Sequence, residues 1–306
     1  MENFINFRTD MADERVDEYK KVHNLTQING IKVESSTDKN VTSTVVDILN
    51  EDASKLLSKD IGKYITLEIK DLNYLDDLSK ENVIKNVSNQ IKSLINKEYN
   101  SVFVVGLGNV YVTPDAIGPK VIKQVEITRH LLKFAKELVD SNTKEVSAIC
   151  PGVLGTTGIE TLEIVQSIVE KTKPDFVIVI DSLVSKSISR LGNTIQLSNT
   201  GLTPGAGVKN KREKIDESVL GVPVIAIGIP TVVDMATITN ETVNKLSQSK
   251  EFNGSIENNI QMESNERYNM IAKILDTENY IVTPKDIDKI IDEVSQIISS
   301  AINMAV

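Results

Sequence analysis

Tryptophan is absent from the 306 residues, cysteine occurs once, as Cys150, and histidine twice, as His23 and His130. A lone thiol excludes an internal disulfide framework and any cysteine-rich zinc site, and it fits a reducing compartment. Two histidines far apart in the chain disfavour chemistry built on several imidazole ligands. Long hydrophobic runs are missing as well. The longest, Val102 to Val105 and Phe176 to Ile180, fall far short of the ~20 residues that cross a bilayer, which excludes a membrane-spanning protein. Glu2, Arg8, Asp10, Asp13, Glu14 and Arg15 interrupt the N-terminus, so no secretory signal is read and a cytoplasmic protein is expected. Positive charge is also scarce: 34 Lys and Arg face 43 Asp and Glu for a net charge of −9, with no basic tail. Nucleic-acid binding needs clustered cations to displace counterions, so neither DNA nor RNA is an expected direct ligand. Carboxylates, hydroxyls and one thiol remain for catalysis.

The length suits two average domains or one large α/β domain. Residues 1 to 24 are polar without a steady period and read as an exposed arm. Further on, the spacing predicts a strand at Tyr64 to Ile69 and a helix over Glu81 to Ile95, with Val83, Ile84, Val87, Ile91, Leu94 and Ile95 at helical intervals. Four β-branched runs follow: Val102 to Val105, Val146 to Ile149, Phe176 to Ile180 and Val222 to Ile227. Such continuous apolar runs suit strands buried on both faces. Helical patterns separate them, one opened by Pro119 and running to about Val139, another over Ile159 to Lys171. The alternation predicts a single α/β domain over residues 11–306, its central sheet mostly parallel with helices on both faces. A last helix is expected over Ile287 to Ile302.

Strands that point one way gather the residues beyond their C-terminal ends at one edge, where ligands sit. That edge would collect Gly106-Leu107-Gly108-Asn109 through Asp115, Pro151 to Thr157, Asp181, and Gly228 to Asp234. The first glycines lack the third member of a dinucleotide fingerprint, since Tyr111 stands in its place. Gly152 to Gly158 has Thr157 where a phosphate loop needs lysine. Neither a dinucleotide cofactor nor a phosphate-loop nucleotide is expected, and the glycines read better as tight turns that approach a ligand closely. Cys150 is better explained by packing than as a nucleophile, because neither histidine is placed to be its base. Lys209, Lys211, Arg212 and Lys214 read more readily as a solvated loop than as an electropositive subsite. Singly, Asp115 reads as a turn residue and Asp181 as the N-cap of a helix over Ser182 to Arg190. As a pair they can divide acid and base roles, because neighbouring carboxylates raise one pKa while the other group stays ionised. That is enough to activate water against a peptide bond.

The strings Val104-Val105-Gly106-Leu107-Gly108-Asn109, Val112-Thr113-Pro114-Asp115-Ala116-Ile117-Gly118-Pro119, Pro151-Gly152-Val153-Leu154-Gly155, Thr157-Gly158-Ile159-Glu160-Thr161 and Val224-Ile225-Ala226-Ile227-Gly228 through Val233-Asp234 resemble the germination protease of spore-forming Firmicutes. The resemblance runs from Phe7 to Asp234 and rests on these strings as a set; residues 35 to 100 and 240 to 306 add little. It implies an endopeptidase of atypical aspartic type, independent of metal, that degrades small acid-soluble spore proteins in the spore core during germination. It also implies that Asp115 and Asp181 are the family's two essential aspartates, and that the chain is made as a zymogen, processes itself and assembles as a homotetramer. Arg8-Thr9-Asp10-Met11-Ala12-Asp13-Glu14 resembles the family's processing site, which imitates the acidic-then-apolar site in its substrates. The implied cut falls between Asp10 and Met11, leaving residues 1–10 as a propeptide-like arm.

Candidates for binding substrate are the backbone amides of Gly106, Gly108, Gly152 and Gly155, in the manner of an oxyanion hole. Lys186, Arg190 and Arg212 are candidates for holding the substrate's acidic residue. Where the family carries an alanine-rich run ending in arginine, this chain has Ser182-Leu183-Val184-Ser185-Lys186; the lysine keeps the charge without the guanidinium fork. Two rival readings stay open. One is a metal-dependent hydrolase in which Asp115, Asp181 and Asp234 hold Mg²⁺ or Mn²⁺; the other is a non-catalytic protein that binds an acidic peptide at the same edge.

Overall fold

The computed structural model describes residues 9–95, 97–205, 212–248, 264–274 and 280–306. One sheet runs through them, built from β1 (Ile31–Asp38), β2 (Val41–Ile48), β3 (Gly62–Ile69), β4 (Ser101–Gly106), β5 (Glu145–Ile149), β6 (Phe176–Ser185), β7 (Thr194–Ser198), β8 (Val224–Asp234) and β9 (Ile281–Val282). The order is β1-β2-β3-β7-β8-β6-β4-β5, with β9 beside β8. The four β-branched runs form the parallel block β5-β4-β6-β8. From β8 through β7, β3 and β2 to β1 the neighbours are antiparallel. The α/β architecture is therefore the one expected, and the sheet is mixed. Its antiparallel half gave little apolar signal, because β1 is exposed along almost its whole length and β2 is rich in Ser and Thr.

The helices are α1 (Ala12–Val22), α2 (Glu51–Leu57), α3 (Asp77–Leu94), α4 (Ile117–Ile122), α5 (Arg129–Phe134), α6 (Leu154–Thr157), α7 (Thr161–Thr172), α8 (Glu217–Leu220), α9 (Met235–Gln248), α10 (Ser264–Ile274) and α11 (Ile287–Ala305). They cover both faces, because alternate residues of a strand point to opposite sides. Val102, Val104, Ile178 and Ile180 pack with α3, α4 and α11, while Phe103, Val105, Val177 and Val179 pack with α7 and α8. Ala12 and Val16 of α1 join Ala53 and Leu57 of α2 over Val46, Ile48 and Tyr64. Among the described residues no helix is long and apolar enough to cross a membrane.

Tertiary contacts override several local expectations. Residues 9–22 are not an exposed arm: Met11 and Ala12 are fully buried, and α1 turns Asp13, Glu14 and Glu18 inward beside Val16. A buried face made partly of carboxylates carries no apolar period, so the sequence pattern hides it; residues 1–8 lie outside the described residues. The run from Pro119 to Val139 splits into α4 and α5. Between them Thr128 docks on β5, donating from its hydroxyl to the Lys144 carbonyl and accepting from the Val146 amide. Ser182 to Arg190 is not a helix either. Strand β6 continues to Ser185 because β8 pairs with it from Val177↔Val224 to Ser185↔Val233, and only Ile188–Arg190 forms a 3-10 turn. Strand β4 stops at Gly106, opposite Ile180, so Asp181 clears the C-terminal end of β4 although it lies within β6.

Candidate active site

Two close approaches fix Asp115. Gly106 ends β4 against Gly118 of α4, where an added Cβ would stand 2.4 Å from the Gly118 carbonyl oxygen. Gly108 follows with φ +114°, a region that disfavours a side chain. The chain then turns through Thr113–Asp115, a 3-10 turn with Pro114 near its start. The Asn109 amide donates to the Asp115 carbonyl (3.0 Å) and to Asp115 Oδ2 (2.8 Å), while the Ser182 hydroxyl donates to Oδ1 at 2.8 Å. Burial raises the Asp115 pKa, and the bonds from Ser182 and Asn109 offset part of the rise.

Asp181 is 7% exposed and accepts the Ser182 amide at Oδ1, 2.9 Å away. Its pKa is raised well above the ordinary carboxylate value, first by burial, then by the charge of Asp115, with a smaller push from Asp10. The two environments differ: burial and the charge of Asp115 raise Asp181, whereas two donors aimed at Asp115 offset part of its rise. Across the sheet Asp181 pairs with Gly228 of β8, and Gly228 pairs with Gln196 of β7. A cavity of about 670 Å³ lies there, with Asp10, Lys59, Asp115, Asp181, Gln196 and Gly228 among the residues that line it.

The chain's own N-terminal segment enters this cavity. The Asp10 amide donates to the Val184 carbonyl (2.9 Å), and the Val184 amide donates back to Asp10 Oδ2 (2.9 Å), so Asp10 lies against β6. Its carbonyl oxygen receives Lys59 Nζ at 2.6 Å and Gln196 Nε2 at 3.3 Å. Past Met11, the Ala12 amide donates to Gln196 Oε1 at 2.8 Å, and Arg15 Nη2 reaches back to the Thr9 carbonyl at 2.9 Å. Lys59 and Gln196 went unnoticed in the sequence. One follows the left-handed C-cap Ser58 of α2, the other sits in a five-residue strand, and neither position carries a motif.

Gly108, Gly152 and Arg212 line the cavity with Asp10, Asp115 and Asp181, whereas Gly106, Gly155, Lys186 and Arg190 are not among its described lining residues. Lys186 pairs with Glu18; Arg190 pairs with Asp13 at 2.8 Å and with Glu68, and lies 3.6 Å from Glu14. Both cations thus engage acidic residues of α1. Arg212 lies 3.4 Å from Glu160, and Lys209 and Lys211 lie outside the described residues. Asp234 caps α9, accepting the Thr237 amide and hydroxyl and the Tyr268 hydroxyl. Among the described residues no three His, Cys, Asp or Glu side chains converge as a metal-ion cluster. Cys150 is exposed, its sulfur 3.9 Å from the Pro119 carbonyl oxygen, and both histidines are exposed.

A family model described as germination protease matches residues 8–253. Several proteins named germination protease align along nearly the whole chain. The one from Clostridium perfringens strain SM101 is 47% identical over 312 residues, covering 98% of this chain and 95% of its own. The Clostridium tetani protein is 41% identical with 97% and 94% covered; the Bacillus mycoides protein is 37% identical with 96% and 90% covered. Among solved structures, the NiFe hydrogenase maturation protease HycI from Thermococcus kodakarensis KOD1 matches with a TM-score of 0.37 and 15% identity, over 69% of this chain and 97% of that one.

Proposed function

The chain belongs to the germination protease family, and from that premise we propose that it is an endopeptidase in which Asp115 and Asp181 hydrolyse a peptide bond after an acidic residue. Ionised Asp115 takes a proton from water, whose oxygen attacks the carbonyl carbon; protonated Asp181 donates to the departing nitrogen. The observation that carries this reading is the seat of the chain's own Asp10. It is an acidic residue followed by an apolar one, held backbone to backbone on β6 at a distance from which its charge acts on Asp181. Substrates are then the small acid-soluble proteins of the spore, cut at similar acidic-then-apolar sites in the spore core, and residues 1–10 are removed by self-processing. Acidic residue recognition falls to the Val184 amide, with Arg15 nearby to balance the Asp10 charge. Large apolar side chains left exposed, Tyr74, Tyr111 and Phe134, fit burial between copies of the chain and support a homotetramer, which light scattering would measure.

Mass analysis tests the catalytic reading directly. The purified chain should release residues 1–10 and cut a Thr-Glu-apolar-Ala peptide after its acidic residue, with EDTA present or absent. Asp115→Asn and Asp181→Asn should melt cooperatively and do both more slowly by about 10²–10⁴. Activity abolished by the chelator and restored by Mg²⁺ or Mn²⁺ would favour the metal-dependent reading; peptide retained uncut would favour a binding protein.

A further inference from the structure

We propose that Lys59 and Gln196 are catalytic residues for this reaction, forming the site that binds the carbonyl oxygen of the bond to be cut. The assignment rests on reading Asp10–Met11 as that bond. Two donors from separate elements converge on the Asp10 oxygen, Lys59 Nζ at 2.6 Å and Gln196 Nε2 at 3.3 Å. The same Gln196 side chain accepts the Ala12 amide at 2.8 Å. A single amide thereby spans the dipeptide around the bond, fixing both the carbonyl and the leaving side.

The surroundings favour a role in charge stabilisation over simple packing. Lys59 is partly buried, with its ammonium 5.7 Å from the centre of the Tyr64 ring, and the Lys59 amide bonds the Ser54 carbonyl beyond the α2 C-cap, which fixes where the side chain starts. Burial, then the charge of Arg15, lower its pKa to about 8, against the pull of Asp10, Asp60 and Asp13. A cation carrying that desolvation cost is aimed at a neutral carbonyl, and it interacts far more strongly with the negative oxygen of a tetrahedral intermediate. Gln196 is 8% exposed and in register, through Gly228, with Asp181. The Leu183 side chain covers the glycine between them, its Cδ1 2.3 Å from where a Gly228 Cβ would stand, and the acid and the carbonyl donor both line the cavity.

The atoms balance without a co-reactant. As the water oxygen bonds to the Asp10 carbonyl carbon, one of its protons passes to Asp115 and the carbonyl π-electrons move to the oxygen held by Lys59 and Gln196. When the C–N bond breaks, the Asp181 proton goes to the Met11 nitrogen and the oxygen's electrons re-form the carbonyl. Proton exchange with solvent resets the pair.

The test is the rate at which the full-length chain releases residues 1–10, followed by mass, beside the thermal midpoint of each variant. Removing one oxyanion donor costs on the order of 10²–10³ in rate, so Lys59→Met should slow release by about that factor at an unchanged cleavage position, and Lys59→Arg should recover much of it. Gln196→Leu should slow release at least tenfold. Release by Lys59→Met at the wild-type rate, or faster, overturns the assignment. If Lys59→Met loses its cooperative melting, Lys59→Gln, which keeps a donor and loses the charge, is read instead: about tenfold slowing supports the proposal and an unchanged rate sinks it. Failure of the underlying function looks different, because the wild-type chain would then release nothing at Asp10, or release it equally well with Asp115→Asn.

Discussion

Replacing Gly108 by alanine tests whether the geometry of Asp115 matters as much as its chemistry. A Cβ built on Gly108 stands 2.0 Å from the Asp115 carbonyl oxygen and 3.2 Å from Asp115 Oδ1. Ordinary van der Waals contact begins at 3.4 Å, so the carbonyl must retreat by about 1.4 Å, and it is backbone that cannot simply rotate away. That oxygen and Oδ2 of the same residue both accept the Asn109 amide, so the retreat breaks the bonds that aim the carboxylate. A φ of +114° adds about 1–3 kcal/mol of backbone strain for a residue with a side chain, a cost that a domain stable by about 5–15 kcal/mol can absorb. Misplacing a reacting group by about 1 Å costs on the order of 10²-fold in rate. Gly108→Ala should therefore fold with a lowered thermal midpoint and release residues 1–10 at least about a hundredfold more slowly. A variant with lowered stability and an undiminished rate would break the link drawn between the glycine turn and Asp115.

Other perturbations separate stability from catalysis. Asp181→Asn should lose about 10²–10⁴ in rate and gain stability at neutral pH, read as a higher denaturant midpoint. The folded chain holds on Asp181 a proton that the unfolded chain has already released, so stability falls as pH rises from the ordinary carboxylate range toward the raised pKa; in the variant that fall should shrink to the part left by Asp115, Glu14 and Asp17, whose values are also raised, and a lowered midpoint would contradict the burial argument. Ser182→Ala removes the hydroxyl that favours ionised Asp115, so the acidic limb of the pH–rate profile should move to higher pH; a limb that stays in place would show that Asp115 is not the base. Arg190→Met strips the cation from beside Asp13 and Glu14, both buried. An uncompensated buried charge costs about 3–5 kcal/mol, so the midpoint should drop and α1 should become open to limited proteolysis, and a wild-type melting curve would refute this account of how α1 is held.

Legibility in the sequence followed one physical variable, the match between burial and hydropathy. Strands β4, β6 and β8 and helices α3, α7 and α11 bury apolar side chains at regular spacing, so period and position could both be read in advance; β5, expected to be buried on both faces, ends the sheet order and buries only Val146. Asp115 and Asp181 were legible as a pair because each stands just past a buried run, even though pairing with β8 carries β6 onward beneath Asp181. Segments stabilised by polar burial left no such trace. Met11, Ala12 and Val16 vanish into the core of a stretch whose other buried residues are Thr9, Asp13, Glu14 and Glu18, and hydropathy records that stretch as an arm.

The same polar burial explains how the segment around Asp10 is held at the cavity. Glu14 alone accepts the Ser185 hydroxyl at 2.7 Å and the Lys186 amide at 2.8 Å, and Lys186 and Arg190 reach on to Glu18 and Asp13. Those bonds anchor the chain on the C-terminal side of Asp10, while β6, Lys59 and Gln196 hold Asp10 itself. Lys186 and Arg190, expected from the sequence to hold a substrate's acidic residue, instead grip acidic residues of the chain's own α1. A substrate presenting a carboxylate three to four residues beyond its cleaved bond would meet Arg190, and one presenting a carboxylate eight residues beyond would meet Lys186, only after α1 yields them. Competition between the two would appear as a lag in peptide cleavage that shortens when Glu18→Gln weakens the hold of α1; equal lags in the two proteins would mean that α1 and the substrate do not share these cations.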